Sequence, residues 1–125
     1  MKTLILTGWG HVSYAIAAAL ALRHYHEADV LGISIRHLPE FLDHVSGYKE
    51  IVITGIGLVG DPELLDKALT KLQKQGIAVH FLTGLAIPDS ISESTRSKMD
   101  IFYVDGDVSD AVCERYNLNY TDLEP

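Results

Sequence analysis

The chain has 125 residues, the usual size of one domain, and 47% of them are hydrophobic, which suffices for one sizeable core. Its formal net charge is −7 and it has no basic stripe, so it is a poor candidate for a nucleic-acid-binding protein. No apolar run approaches the roughly 20 residues of a membrane span, and the short apolar start lacks a signal-peptide cleavage pattern, so no membrane partner is expected.

Two further features of the composition bear on location and partners. The single cysteine, Cys113, excludes an internal disulfide and a cysteine zinc cluster, and it favours a reducing cytoplasm. Residues 99–125 carry a net charge of −6, leaving about −1 for the remainder. This acidic end is either a solvated face or a linker or docking surface of a longer protein.

The first half of the chain alternates strand and helix signals. Residues 3–7 predict a strand, and the alanine-rich residues 13–26 predict a helix that packs closely on a sheet. A second strand is predicted at 29–33 and a short helix at 38–45, with Pro39 in its first turn. The third predicted strand covers 50–54.

The second half continues the same alternation. Asp61 predicts the start of a helix with one apolar face, and Gly76 predicts the end of that helix. Strands are predicted at 77–82 and 100–104. Between them Ser90 and Glu93 predict a capping box for a short helix, and Asp107 with Asp110 opens the last helix.

Strands that alternate with helices predict a three-layer, doubly wound α/β domain with a mostly parallel five-stranded sheet. We expect this domain to cover residues 1–118. Residues 119–125 carry no periodic pattern and are expected to be a tail or the start of a linker.

In a sheet of this kind ligands bind beyond the carboxyl ends of the strands. That rule nominates the loops at 8–13, 34–37, 55–57, 83–84 and 105–107. In the first loop Gly8 and Gly10 precede a helix whose free amides favour an anion. Trp9 could stack on a ring, and His11 or Ser13 could donate hydrogen bonds. Alternatively the glycines only make a tight turn, Ser13 caps the helix and Trp9 packs in the core.

The loop after the third strand formally matches a dinucleotide fingerprint through Gly55, Gly57 and Gly60. The fingerprint also requires an acid at the end of the next strand, and residues 78–82 contain none. Nicotinamide binding is therefore disfavoured.

Arg36, after the second strand, is either a phosphate contact or a surface residue. No histidine pair has metal-ligand spacing, so neither a metal site nor a cofactor is expected.

Taken together, the order of these features over about residues 3–118 resembles the N-terminal domain of the DHH phosphoesterase family, which includes exopolyphosphatases and cyclic-dinucleotide phosphodiesterases. The resemblance is carried by residues 5–8 followed by 15–20, and by the segments at 38–42, 49–58, 76–84 and 107–111. It implies an α/β fold and a phosphorylated ligand. It also implies sites at the strand ends for two divalent metals, which the family uses to activate water.

The metal ligands of that family are missing in register. Its Asp-x-Asp pair falls at Gly10 and Val12, its third-strand aspartate at Thr54, and its Asp-His-His run at residues 82–84, Leu-Thr-Gly. Hard divalent cations need several carboxylates or imidazoles, which these residues do not supply. The resemblance therefore implies the fold and a pocket without the catalysis, and no residue is assigned a catalytic or metal-binding role.

Three functional hypotheses follow. The first is a non-catalytic sensor or regulatory module that binds a nucleotide or phosphorylated small molecule. Its candidate ligand-binding residues are Gly8, Trp9, Gly10, His11, Ser13, Arg36, Thr54, Gly55, Gly57, Thr83 and Gly84. The second is a structural or homo-oligomerising domain that uses the acidic end and exposed Tyr116, Leu118 and Tyr120. The third is an active metal-dependent phosphoesterase with a site rebuilt from His11, Asp105 and Asp107, although both aspartates could instead cap the last helix.

Overall fold

A computed structural model describes residues 2–8, 12–58 and 61–123 of the chain. Its five strands form one sheet, all parallel, in the order β2-β1-β3-β4-β5. Each predicted strand is found within two residues of its expected bounds. The strands are β1 (Lys2–Thr7), β2 (Ala28–Gly32), β3 (Tyr48–Thr54), β4 (Ala78–Thr83) and β5 (Asp100–Tyr103). The α/β doubly wound fold is thereby confirmed.

Helices occupy the predicted intervals between the strands. They are α1 (Val12–His24), α2 (Leu38–His44), α3 (Pro62–Lys74), α4 (Glu93–Arg96) and α5 (Val108–Tyr116). Asp61 caps α3 as predicted, because its Oδ1 accepts hydrogen bonds from the backbone N–H groups of Glu63 and Leu64 at 3.0 and 3.3 Å.

The predicted cap of α4 is wrong by two residues. Ser92, not Ser90, closes this helix, and its Oγ accepts a hydrogen bond from the backbone N–H of Thr95 at 3.2 Å. Ser90 lies in a turn that the Ile91 N–H closes onto the Pro88 carbonyl at 3.1 Å. Glu93 is consequently the first helical residue rather than the third, so a Ser90–Glu93 box cannot form.

The sheet is buried on both faces, and its strand sequences show why. Consecutive strand residues point to opposite faces, so Ile5 packs in one core while Leu4 and Leu6 pack in the other. Helices α2 and α3 cover the Leu4 face, and α1 and α5 cover the Ile5 face. The alanines of α1 that lie in the core are fully or almost fully buried, which lets this helix approach the sheet closely.

The strand order determines where connections diverge. The chain leaves β1 for β2 on one side and then returns to place β3 on the other side of β1. The helices after β1 and β3, α1 and α3, therefore lie on opposite faces. A crevice at the carboxyl ends of β1 and β3 results, and such crevices are the usual ligand site of open α/β sheets.

The residues after α5 are partly attached to the domain. Leu118 packs against the α1–α5 core, and a short 3₁₀ helix covers Tyr120–Leu123. Tyr116 is half-buried, with its hydroxyl 2.9 Å from that of Tyr25. Tyr116, Leu118 and Tyr120 were predicted to form an exposed surface. Tyr120 is exposed, whereas Tyr116 and Leu118 pack against the α1–α5 core. A boundary at residue 118 remains a prediction.

No helix within the described residues has the length and apolar character that crossing a membrane would require.

Candidate ligand site

Four loops converge at the carboxyl edge of the sheet, which we define as the ends of β1, β3, β4 and β5 with the segments that follow them. They enclose a cavity of about 140 Å³. The predicted residues that line it are Ser13, Gly55, Gly57, Thr83 and Gly84. An adjoining groove of about 350 Å³ shares Gly55 and Gly57 and is also lined by Gly8. The structure thus brings six of the predicted residues to one place.

The glycines at this edge bring neighbouring loops into close approach. A Cβ atom on Gly8 would lie 2.3 Å from the Gly55 carbonyl oxygen, and one on Gly84 would lie 2.1 Å from the Gly106 carbonyl oxygen. No side chain fits at either distance. The first contact joins the ends of β1 and β3, and the second joins the loops after β4 and β5. Gly55, Gly84 and Gly106 consequently line the cavity, and Gly8 lines the adjoining groove.

Tyr14 lies between the loops that follow β1 and β3, and the sequence did not predict it as a site residue. Gly55 has a φ of 70°, and a Cβ atom there would lie 2.7 Å from the Tyr14 ring. The ring borders both the cavity and the groove. It therefore supplies an aromatic surface beside glycine backbone, where a planar ligand group can stack.

Two predicted hydroxyl groups bind the protein itself. Thr54 is fully buried and donates to the Leu6 carbonyl at 3.3 Å, so it does not line the cavity. Thr83 lines the cavity, but its Oγ1 accepts from the Leu85 N–H at 2.9 Å and donates to the Leu85 carbonyl at 3.0 Å. Thr83 thereby fixes the turn that carries Leu85.

Arg36 lies outside the cavity and the groove. It is exposed in the 3₁₀ helix Ile35–His37, and its backbone N–H is 3.4 Å from the Ser34 Oγ. Its neighbours Ser34 and Ile35 do line the groove. Trp9, Gly10, His11 and Gly60 lie outside the described residues.

The cavity is weakly charged. Among the described residues that line it, Asp107 is the only acidic side chain and none is basic. Asp107 precedes α5, and its backbone N–H donates to the Asp110 carboxylate at 3.2 Å. The residue before α5 therefore contributes one carboxylate to the lining, and Ser13 contributes the first turn of α1.

The remaining walls are apolar and were also missed by the sequence reasoning. They comprise Ile56, Leu85 and Val108. Leu85 is 69% exposed and Val12, the first residue of α1, is 75% exposed. The sequence signal for such residues is an apolar side chain in a loop directly after a strand, as at Leu85, or at the start of a helix, as at Val12. The predicted site residues in these loops are instead mostly glycine and polar residues.

No group of three or more His, Cys, Asp or Glu side chains able to hold a metal ion occurs within residues 2–8, 12–58 and 61–123. Asp105 and Asp107 follow β5 and are both exposed.

Neither the family models nor the curated protein sequences that were searched match this chain. The fold and the site together define an α/β domain with a crevice at its switch point.

Proposed function

We propose that this chain is a non-catalytic, DHH phosphoesterase-like domain that binds a nucleotide or another phosphorylated small molecule, as a sensor or regulatory module of a larger protein. The observation that supports the proposal is the convergence of four strand-end loops on one cavity beside the Tyr14 ring. Ligand sites of α/β sheets combine these features, namely an apolar cleft with a few backbone and side-chain polar groups.

The lining suggests how such a ligand lies. The apolar side chains and the Tyr14 ring suit a planar base, and the Asp107 carboxylate can accept hydrogen bonds from amino groups on that base. Asp107 also repels phosphate. We therefore place the phosphate away from Asp107, towards Ser13 in the first turn of α1, where the helix dipole favours an anion.

The absence of catalysis in the proposal follows from residue chemistry. Phosphoester hydrolysis of the DHH type needs two divalent cations held by carboxylates and imidazoles. At the corresponding positions this chain has Gly10, Val12, Thr54 and residues 82–84. Thr54 is buried, its hydroxyl donates to the Leu6 carbonyl, and it does not line the cavity.

Isothermal titration calorimetry with a panel of nucleoside phosphates and cyclic dinucleotides tests the proposal. At least one ligand is expected to give saturable binding that persists with a chelator. Leu85→Asp should weaken that binding by about tenfold or more, because it places a charge at the apolar mouth. Leu85 is 69% exposed, so the substitution should not disturb folding.

Leu22→Asp is the matched control, since Leu22 is an exposed leucine at the opposite end of α1. It should bind like the unmodified chain. Flat traces across the whole panel would contradict ligand binding. Manganese-dependent phosphoester hydrolysis by the purified protein would contradict the non-catalytic assignment and favour the rebuilt hydrolase.

A further inference from the structure

A row of polar side chains crosses four strands near their amino ends. Thr3, Glu50, His80 and Asp100 lie on β1, β3, β4 and β5, and we call them the amino-edge row. His80 pairs in register with Val52, which lies in the α1–α5 core, so the row is on the face that α1 and α5 cover. It is at the opposite end of the sheet from the cavity.

His80 is the centre of this row. Its Nε2 lies 3.0 Å from Glu50 Oε2, and its Nδ1 lies 2.9 Å from Asp100 Oδ2. An ionised carboxylate can only accept a hydrogen bond, and a neutral imidazole carries one N–H. Only the doubly protonated, positively charged ring can therefore donate to both carboxylates.

The two carboxylates differ in their other partners. Asp100 also accepts from Arg115 Nη2 of α5 at 3.2 Å, and its side chain is 50% exposed. Glu50 accepts from the Thr3 hydroxyl at 3.0 Å and is 19% exposed. Among the described residues, His80 is the only basic side chain in an ion pair with Glu50.

Other titratable groups face the same region from α1 and α5. The Tyr25 and Tyr116 hydroxyls are 2.9 Å apart, and the His24 ring stacks on Tyr116 at a centroid distance of 4.2 Å. Burial raises the pKa of both tyrosines, so they remain neutral when His80 loses its charge. The hydrogen bond from His80, aided by Arg115, lowers the pKa of Asp100.

Loss of the positive charge on His80 acts mainly on β5. The single remaining N–H is best used on Glu50, which is more buried and has no other basic partner in the described chain. The His80 lone pair then faces Asp100. Strand β5 has four residues, lies at the edge of the sheet and pairs only with β4 among the described strands. Beyond this backbone ladder and the packing of Ile101 and Phe102, Asp100 ties the strand to its neighbours through His80 and Arg115.

From these observations we infer that His80 is a pH-sensitive clamp that holds β5 and α5 on the sheet and loosens them when it loses its proton. The chain continues from β5 into Gly106, Asp107 and Val108, which form one wall of the cavity. Loosening β5 should therefore weaken ligand binding, a consequence that rests on the proposed function, whereas the clamp itself does not.

Amide hydrogen exchange at about pH 6 and about pH 8.5, corrected for intrinsic rates, tests the clamp. Protection of β5 and the first turn of α5 should fall about tenfold more than that of β1 as the pH rises. In His80→Gln this selective fall should disappear and protection should be low at both values. Asp100→Asn should also abolish the selective fall, and it serves if His80→Gln folds poorly.

His44→Gln is the matched control, because His44 is an exposed histidine at the end of α2. It should retain the selective fall. Protection that changes in parallel across all strands, or a selective fall that survives in His80→Gln, would overturn the clamp. Ligand titration at both pH values is a separate readout, so absence of binding at either pH counts against the proposed function and leaves the exchange result intact.

Discussion

The two ends of the sheet are built in different ways. At the amino end, charged and polar side chains of four strands bind one another, as in the Glu50–His80–Asp100 chain of contacts. At the carboxyl edge, contacts between loops are made by glycine backbone, and the space between them is lined by apolar side chains with one carboxylate. Polar groups that satisfy each other stabilise the fold, whereas unfilled space between the strand-end loops is available to a ligand.

The same strands produce both ends. Strand β3 begins with exposed or partly exposed Tyr48, Lys49 and Glu50 and ends with four buried residues before the turn at Gly55. The charge of the row is thereby kept about one strand length from the cavity. The comparison predicts that substitutions at the carboxyl edge act through backbone sterics and those at the amino edge through charge.

The largest expected effect is that of Gly84→Ala. The new Cβ atom would lie 2.1 Å from the Gly106 oxygen and 3.0 Å from backbone carbons of Gly106 and Asp107, so two loops must separate. We expect the free energy of unfolding to fall by roughly 2 to 4 kcal/mol, measured by urea denaturation, and ligand binding to be lost.

Gly76→Ala is the control for this prediction. Gly76 has a φ of 75° but nothing within 4 Å of its Cβ position, so only the backbone strain of a left-handed residue should appear, about 1 kcal/mol. Equal losses for the two variants would show that the close approach of the loops after β4 and β5 contributes nothing to stability.

The difference between the two ends also explains what sequence reasoning could reach. The strands follow from short apolar runs, and helix α3 follows from Asp61 and the apolar period after it, because these signals are local. Thr54 is predicted to belong to the site because it ends the third strand, where the resembled family has an aspartate. Whether its hydroxyl lines a cavity or binds the Leu6 carbonyl depends on the packing of β1 against β3. Tyr14 belongs to the site for a similarly non-local reason, its contact with Gly55.

A smaller effect is expected for Thr54→Val, which removes a buried hydrogen bond without changing side-chain volume much. The free energy of unfolding should fall by roughly 1 kcal/mol, while ligand affinity in calorimetry should not change. Thr83→Val is the comparison, because the Thr83 hydroxyl fixes the turn that carries Leu85 into the cavity wall. It should weaken binding. A loss of affinity in Thr54→Val alone would return Thr54 to the site.

The smallest effect concerns acid at the amino end. The hydrogen bond from His80 holds the pKa of Asp100 below its usual value, with a further contribution from Arg115. A carboxyl whose pKa is lower in the folded than in the unfolded chain stabilises the fold above the unfolded pKa, near 4, and this contribution is lost as the pH falls through the folded pKa.

The free energy of unfolding of the unmodified chain should therefore decrease as the pH is lowered from about 5 to about 2. The free energy of unfolding of Asp100→Asn should decrease less steeply over the same range. Because the Asp100 side chain is half exposed, solvent screening limits the difference to under about 1 kcal/mol. Denaturant titrations of both proteins at several pH values measure it. Parallel pH profiles would mean that the contacts of Asp100 with His80 and Arg115 add no stability, and the amino end would then differ from the carboxyl edge in composition alone.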